Sequence, residues 1–221
     1  MKNLIAELPY ALLIAGTALL GLYLANLFLD VGVKQWLTRK VGHLSGFGGY
    51  LLCAYMFSSY LWPLILSGGF TLLLVISRFL RGPTPFRGVA RTGTIAECWY
   101  PLTGALVLGV VWGVFDKPFV AVACIGMMGA GDAITGICRS RFVKTPQKHW
   151  SGSIAMFLVS LLLAWCFIHP FFIGALAAIG ATLAEWLCGD VGKIHAIDDN
   201  LAIPIVAAMI ACGGLYAIGL L

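Results

Sequence analysis

Four short polar islands interrupt an otherwise apolar chain. They read Arg39-Lys40-Val41-Gly42-His43, Gly131-Asp132-Ala133, Lys148-His149-Trp150-Ser151-Gly152-Ser153 and Asp198-Asp199-Asn200. A charge close to a bilayer core is costly, so Asp132 and Glu185, which sit inside apolar runs, are functional candidates by default. Carboxylates, cations and glycines together suit a nucleotide with its metal better than they suit packing alone.

Each island is open to a functional and a structural reading. Arg39 and His43 are four residues apart and would share one helical face, with Lys40 beside them. A triphosphate uses such cations, Arg as a fork and Lys as a point charge. An interfacial cluster of snorkelling side chains would look the same. In the run Gly126-Met-Met-Gly-Ala-Gly-Asp-Ala-Ile-Thr-Gly136 the glycines permit close helix packing. A break near Gly129–Gly131 would instead present backbone N–H groups to a phosphate. Asp132 favours function, because a lipid-facing stripe has no use for a carboxylate. Lys148 with Ser151, Gly152 and Ser153 can form a phosphate-binding loop or merely cap the following helix. The chain contains no Walker A motif. Asp198, Asp199 and Asn200 offer hard oxygen ligands suited to Mg²⁺, or a helix cap. Glu185 can join such a shell or pair with an arginine.

The elements that position these islands follow from composition. The chain has 221 residues, 61% of them hydrophobic and only 10% charged. Its mean hydropathy is +0.97. Soluble domains carry about 25% charged residues. Long, continuously apolar runs exclude a β-barrel, whose strands alternate, so the expected fold is all-α: a single polytopic membrane domain over residues 1–221. Helices are expected near 8–29, 44–59, 63–80, 98–115, 118–137, 153–168, 171–188 and 201–220. The second and sixth are short for a full span, which leaves seven or eight spans open. The run from Leu8 to Leu29 is longer than a signal-peptide core and reads as a retained helix. Seven cysteines without a CxxC pair read as small buried hydrophobes. His43, His149, His169 and His195 show no metal-ligand spacing.

Charge sets the orientation. Of the 14 Lys and Arg residues, all but Lys2 and Lys117 lie in or beside the odd-numbered connections between these helices. The others are Lys34, Arg39 and Lys40; Arg78, Arg81, Arg87 and Arg91; Arg139, Arg141, Lys144 and Lys148; and Lys193. Positive charge marks the cytoplasmic side, so with eight spans both termini are external and every polar island opens onto the cytoplasm.

In combination the motifs resemble those of the CTP-dependent membrane lipid kinases, the family of dolichol kinase, phytol kinase and the CTP-dependent diacylglycerol kinase. The resemblance rests on Arg39-Lys40-x-x-His43 and on Gly131-Asp132-Ala133, followed by Lys148, Gly152-Ser153 and Ala155-Met156-Phe157. It continues through Glu185, Asp199-Asn200-Leu201 and Pro204, and covers residues 39–205. The run Gly136-Ile137-Cys138-Arg139-Ser140-Arg141-Phe142 and Trp150 depart from the family's usual residues. The resemblance implies phosphoryl transfer from CTP to a membrane lipid alcohol of isoprenoid type, with Mg²⁺, at the cytoplasmic face of a cell membrane. It implies that Asp132 and Asp199 hold the metal, supported by Glu185 and Asn200. Lys148, Arg39 and Lys40 would neutralise the triphosphate, and His43, Gly131, Ser151, Gly152 and Ser153 would complete the nucleotide site. No nucleic-acid partner is expected. A CTP-dependent diacylglycerol kinase is one alternative. A cytidylyltransferase that releases pyrophosphate is another, although its Lys-Asp-rich C-terminal signature is missing. A transporter or anion-binding module would be of a different class, and the chain lacks the paired broken helices of such transporters.

Overall fold

The computed structural model describes residues 2–79, 86–90, 95–144, 147–189, 192, 194 and 196–221. Leu80, Arg81, Arg91, Lys193 and His195, all invoked above, lie outside the described residues.

The described chain is all-helical. A helical turn, Lys2–Ala6, precedes eight helices: α1 (Leu8–Asp30), α2 (Gln35–Met56), α3 (Leu61–Phe79), α4 (Ala96–Trp112), α5 (Pro118–Phe142), α6 (Trp150–Phe167), α7 (Phe171–Leu187) and α8 (Asp199–Ala217). Local chemistry explains several starts. Pro9 and Pro118 stand in the first turns of α1 and α5, where a missing N–H costs nothing. His149 caps α6 and Asp198 caps α8, each accepting from the backbone N–H two residues on. The largest departure from expectation is α2, which begins at Gln35 rather than near residue 44. The apolar run begins at 44, but Arg39, Lys40 and His43 are helical too. Hydropathy placed the boundary too late because those polar residues face protein rather than water.

Helix α5 is the central post. It packs against α2, α4, α6 and α8, and α7 leans on both α6 and α8. Residues Ala121 to Ile125 are fully buried. Small residues make the close approaches: Ala177, Ala178 and Ala181 of α7 and Ala207 and Ala211 of α8 are all sealed from solvent. Helix α3 packs on α4, while α1 lies along α2 and makes little contact with α3.

The outer surface is as apolar as the interior. Leu12, Leu13, Leu20 and Tyr23 of α1, Leu158, Leu162 and Trp165 of α6, and Phe172, Leu176 and Leu183 of α7 are exposed. Such continuous apolar faces belong in lipid, not water. Five helices, α1, α3, α5, α6 and α8, are long and apolar enough to cross a membrane, and α4 and α7 are shorter apolar helices.

Candidate functional site

Two features prepare the centre of the site. The first is a change of pitch in α5. Residues Met127–Gly131 form a wide π turn, after which the regular helix resumes at Asp132. The Gly-rich run therefore widens the helix rather than breaking it, and the N–H groups expected to be freed near Gly129–Gly131 stay within a continuous helix. Inserted turns of this kind re-aim the next side chain and recur at functional sites. The second feature is close packing. A Cβ on Gly129 would fall 2.6 Å from the Tyr100 hydroxyl and 2.9 Å from Phe47 Cβ. Only glycine lets α2 and α4 approach α5 there. One turn beyond Asp132, a Cβ on Gly136 would come within 3.0 Å of Lys40 Cε, so the bare backbone makes room for the lysine stem.

Asp132 is thereby brought to the motif of α2. Its Oδ2 lies 2.5 Å from Lys40 Nζ and 3.2 Å from His43 Nδ1. The imidazole contact falls short of hydrogen-bond geometry, and Nδ1 is buried without a hydrogen-bond partner among the described residues. The ring is positioned by Tyr100 instead. The two rings stack with centroids 4.8 Å apart, and the Tyr100 hydroxyl donates to the His43 carbonyl oxygen at 2.9 Å.

A second charged cluster sits beside the first. Lys148 donates to Glu185 Oε1 at 2.6 Å and to the backbone carbonyl of Glu185. Arg139 Nη1 lies 3.9 Å from the same carboxylate. Glu185 is 2% exposed. The two clusters are neighbours, since Asp132 acts electrostatically on Glu185. Thr135 ties α5 to α6 between them: its hydroxyl donates to Gly131 O at 2.8 Å and lies 3.3 Å from Gly152 O.

The third group enters with α8. Asp198 Oδ1 accepts from the Asn200 N–H at 2.9 Å and so opens the helix. Asp199 follows in the first turn, against Gly189, whose φ of +85° and lack of a Cβ accommodate its carboxylate. Asn200 is buried and its Oδ1 has no partner among the described residues. Arg39 lies within electrostatic range of both Asp198 and His43. Burial pushes the Asp198 carboxyl up to about 6, helped by the neighbouring Asp199 charge.

All four sequence islands therefore meet at one end of the bundle. Ser151 and Gly152 are buried and, with Ser153, belong to the first turn of α6 rather than to a loop before it. Ser151 Oγ pairs with His149 Nδ1 at 2.8 Å, and Ser153 Oγ is a buried hydroxyl without a partner among the described residues. Tyr100 and Arg139 were not singled out as site residues from the sequence. The aromatic-polar run Glu97-Cys98-Trp99-Tyr100-Pro101 is the signal that could have found the tyrosine. Arg139 is indistinguishable in sequence from the other basic residues of its segment.

Among the described residues, no three His, Cys, Asp or Glu side chains lie close enough together to hold a metal ion. Asp132, Glu185 and Asp199 thus do not converge as a protein cage. Their chemistry fits a different mode of binding: Mg²⁺ commonly takes one or two carboxylates and completes its shell with water and substrate phosphates. Asp132 and Glu185 supply hard oxygens, and each stands beside a lysine suited to phosphate. No protein-family model, curated protein or solved structure matches the chain.

Proposed function

We propose that the chain is a membrane lipid kinase that transfers the γ-phosphoryl group of CTP to the hydroxyl of an isoprenoid-type lipid alcohol. The observation that carries this reading is the pair of buried Lys–carboxylate clusters, Lys40–Asp132 and Lys148–Glu185, side by side at one end of an apolar helical bundle. Burying an ion pair is a poor route to stability, because desolvation offsets the Coulomb attraction. Two adjacent pairs are better understood as groups that exchange partners when a ligand arrives.

Phosphoryl transfer depends mainly on positioning and charge stabilisation. Lys40 and Lys148 would turn from their carboxylates to the triphosphate, with Arg39 and Arg139 as further cations. The Ser153 hydroxyl in the first turn of α6, without a partner among the described residues, would donate to the same anion. A Mg²⁺ ion bound by Asp132 and Glu185, with Asp199 and Asn200 close by, would neutralise charge on the phosphates. The apolar bundle would hold the lipid and keep bulk water from competing with its hydroxyl.

In this reading α2, α4 and α7 cross the bilayer with the other five helices. Eight spans place both termini outside and the charged end in the cytoplasm, as the positive-inside rule requires.

The test is turnover by the purified chain in detergent, with γ-labelled CTP, UTP, ATP or GTP offered against a panel of lipid alcohols. Phosphorylated isoprenoid alcohol and CDP are the expected products. Preference for diacylglycerol would reassign the lipid, and equal use of ATP would reassign the donor. Pyrophosphate with a CDP-lipid would make the protein a cytidylyltransferase, and CTP binding without any product would leave a binding module.

A further inference from the structure

An apolar cavity of about 110 Å³ lies between α1, α2, α3 and α4. It runs along α2 from Gly42 to Cys53, three turns or about 16 Å at 1.5 Å per residue. Its walls are aliphatic and aromatic, among them Ile14, Ala18 and Leu22 on one face of α1 and Phe70 and Leu74 on α3. Toward the charged end it is lined by His43, Tyr100 and Glu97. Helix α1 lies along α2, and α3 makes few contacts with either, so the cavity is only loosely closed between α1 and α3.

His43 belongs to both the cavity and the charged site. Its ring lines the cavity while Nδ1 stands 3.2 Å from Asp132 and makes no hydrogen bond among the described residues. The ring is held there by its stacking on Tyr100. Glu97, the carboxylate on the cavity wall, is held by Arg78.

We infer that this cavity receives the single hydrocarbon chain of the lipid alcohol, entering between α1 and α3, with the hydroxyl at the His43 end beside the charged site. The inference rests on the kinase reading above. Tyr100 fixes the His43 ring by stacking and by its bond to the His43 carbonyl, and so shapes that end of the cavity.

The experiment uses the full chain and a long-chain isoprenoid alcohol carrying a diazirine. After irradiation without nucleotide, labels should map to Ala18, Leu22, Phe70 or Leu74, and Ala18→Phe should suppress them. In turnover assays Ala18→Phe should raise KM for the alcohol and leave KM for CTP nearly unchanged. Labels confined to the outer faces of α6 and α7, indifferent to Ala18→Phe, would overturn the cavity assignment even in an active kinase. Cavity labelling without phosphorylation of any alcohol would uphold the chain site while removing the kinase reading.

Discussion

At the scale of single residues, the site is a set of charges in a place where charge is expensive. Asp132 and Glu185 stand out in the sequence for that reason, but their partners do not. Lys40 is 92 positions from Asp132 and Lys148 is 37 from Glu185, so only folding pairs them. Asp132→Asn should leave Lys40 buried without its counter-charge. Removing one member of a buried pair costs about 3–5 kcal/mol of stability, and the unfolding midpoint should fall accordingly. Turnover of labelled CTP should fall by about 100-fold or more, equivalent to roughly 2.7 kcal/mol. Activity within about threefold of wild type would remove Asp132 from the chemistry. Asp198 supports a second expectation. A carboxyl raised to about 6 in the folded protein, against about 3.9 in the unfolded chain, binds its proton more tightly when folded. Its contribution to stability is therefore largest below pH 4 and is lost as pH rises through 6. Asp198→Asn keeps a cap of similar quality and removes the titration. Thermal midpoints of wild type and variant, measured between pH 4.5 and pH 7.5, should diverge in that window, with the wild type gaining relative stability toward acid.

At the scale of elements, the decisive piece is the π turn in α5. Hydropathy assigns a helix from 118 onward, and the glycines suggest close contact, but neither distinguishes a break from a widened turn. The distinction depends on what α5 meets: Phe47 and His43 of α2 on one side and Tyr100 of α4 on another, all within van der Waals reach of Gly129. Gly129→Ala forces a methyl group into that junction. Overpacking of this kind costs about 1–3 kcal/mol, and here the displaced atoms are those that hold His43 in place. The variant should show a lower unfolding midpoint and a loss of kcat larger than any change in KM for CTP. Gly16→Ala is the control, because a Cβ there meets nothing within 4 Å. An unaltered kcat in Gly129→Ala would mean that the junction does not transmit to the site.

At the scale of the whole molecule, the charged end and the apolar waist give the bundle a direction. Helix α5 contains 25 residues and is about 37 Å long at 1.5 Å per residue, enough to exceed a hydrocarbon core of about 30 Å. Asp116 lies just before one end of it and Lys144 just beyond the other, and both are exposed. Single cysteines at these positions, in a background with the exposed Cys166 changed to serine, should label from opposite sides of sealed vesicles. Lys144→Cys should react from the cytoplasmic side. Labelling of both from one side would overturn the span of α5 and the topology built on it.

The sequence alone determined the class of the molecule and the identity of its unusual residues. Long apolar runs specify helices wherever water is absent, since the backbone must satisfy its own hydrogen bonds there. A carboxylate in such a run is conspicuous however the chain folds, so Asp132 and Glu185 were visible without coordinates. Only the tertiary structure decided which cation meets which carboxylate, that α2 extends back to Gln35 so that Lys40 and His43 reach α5, and that a cavity ends on His43. These features depend on distances between helices far apart in the chain. Hydrophobicity and spacing report on one helix at a time, whereas a site built from six of them is set by packing.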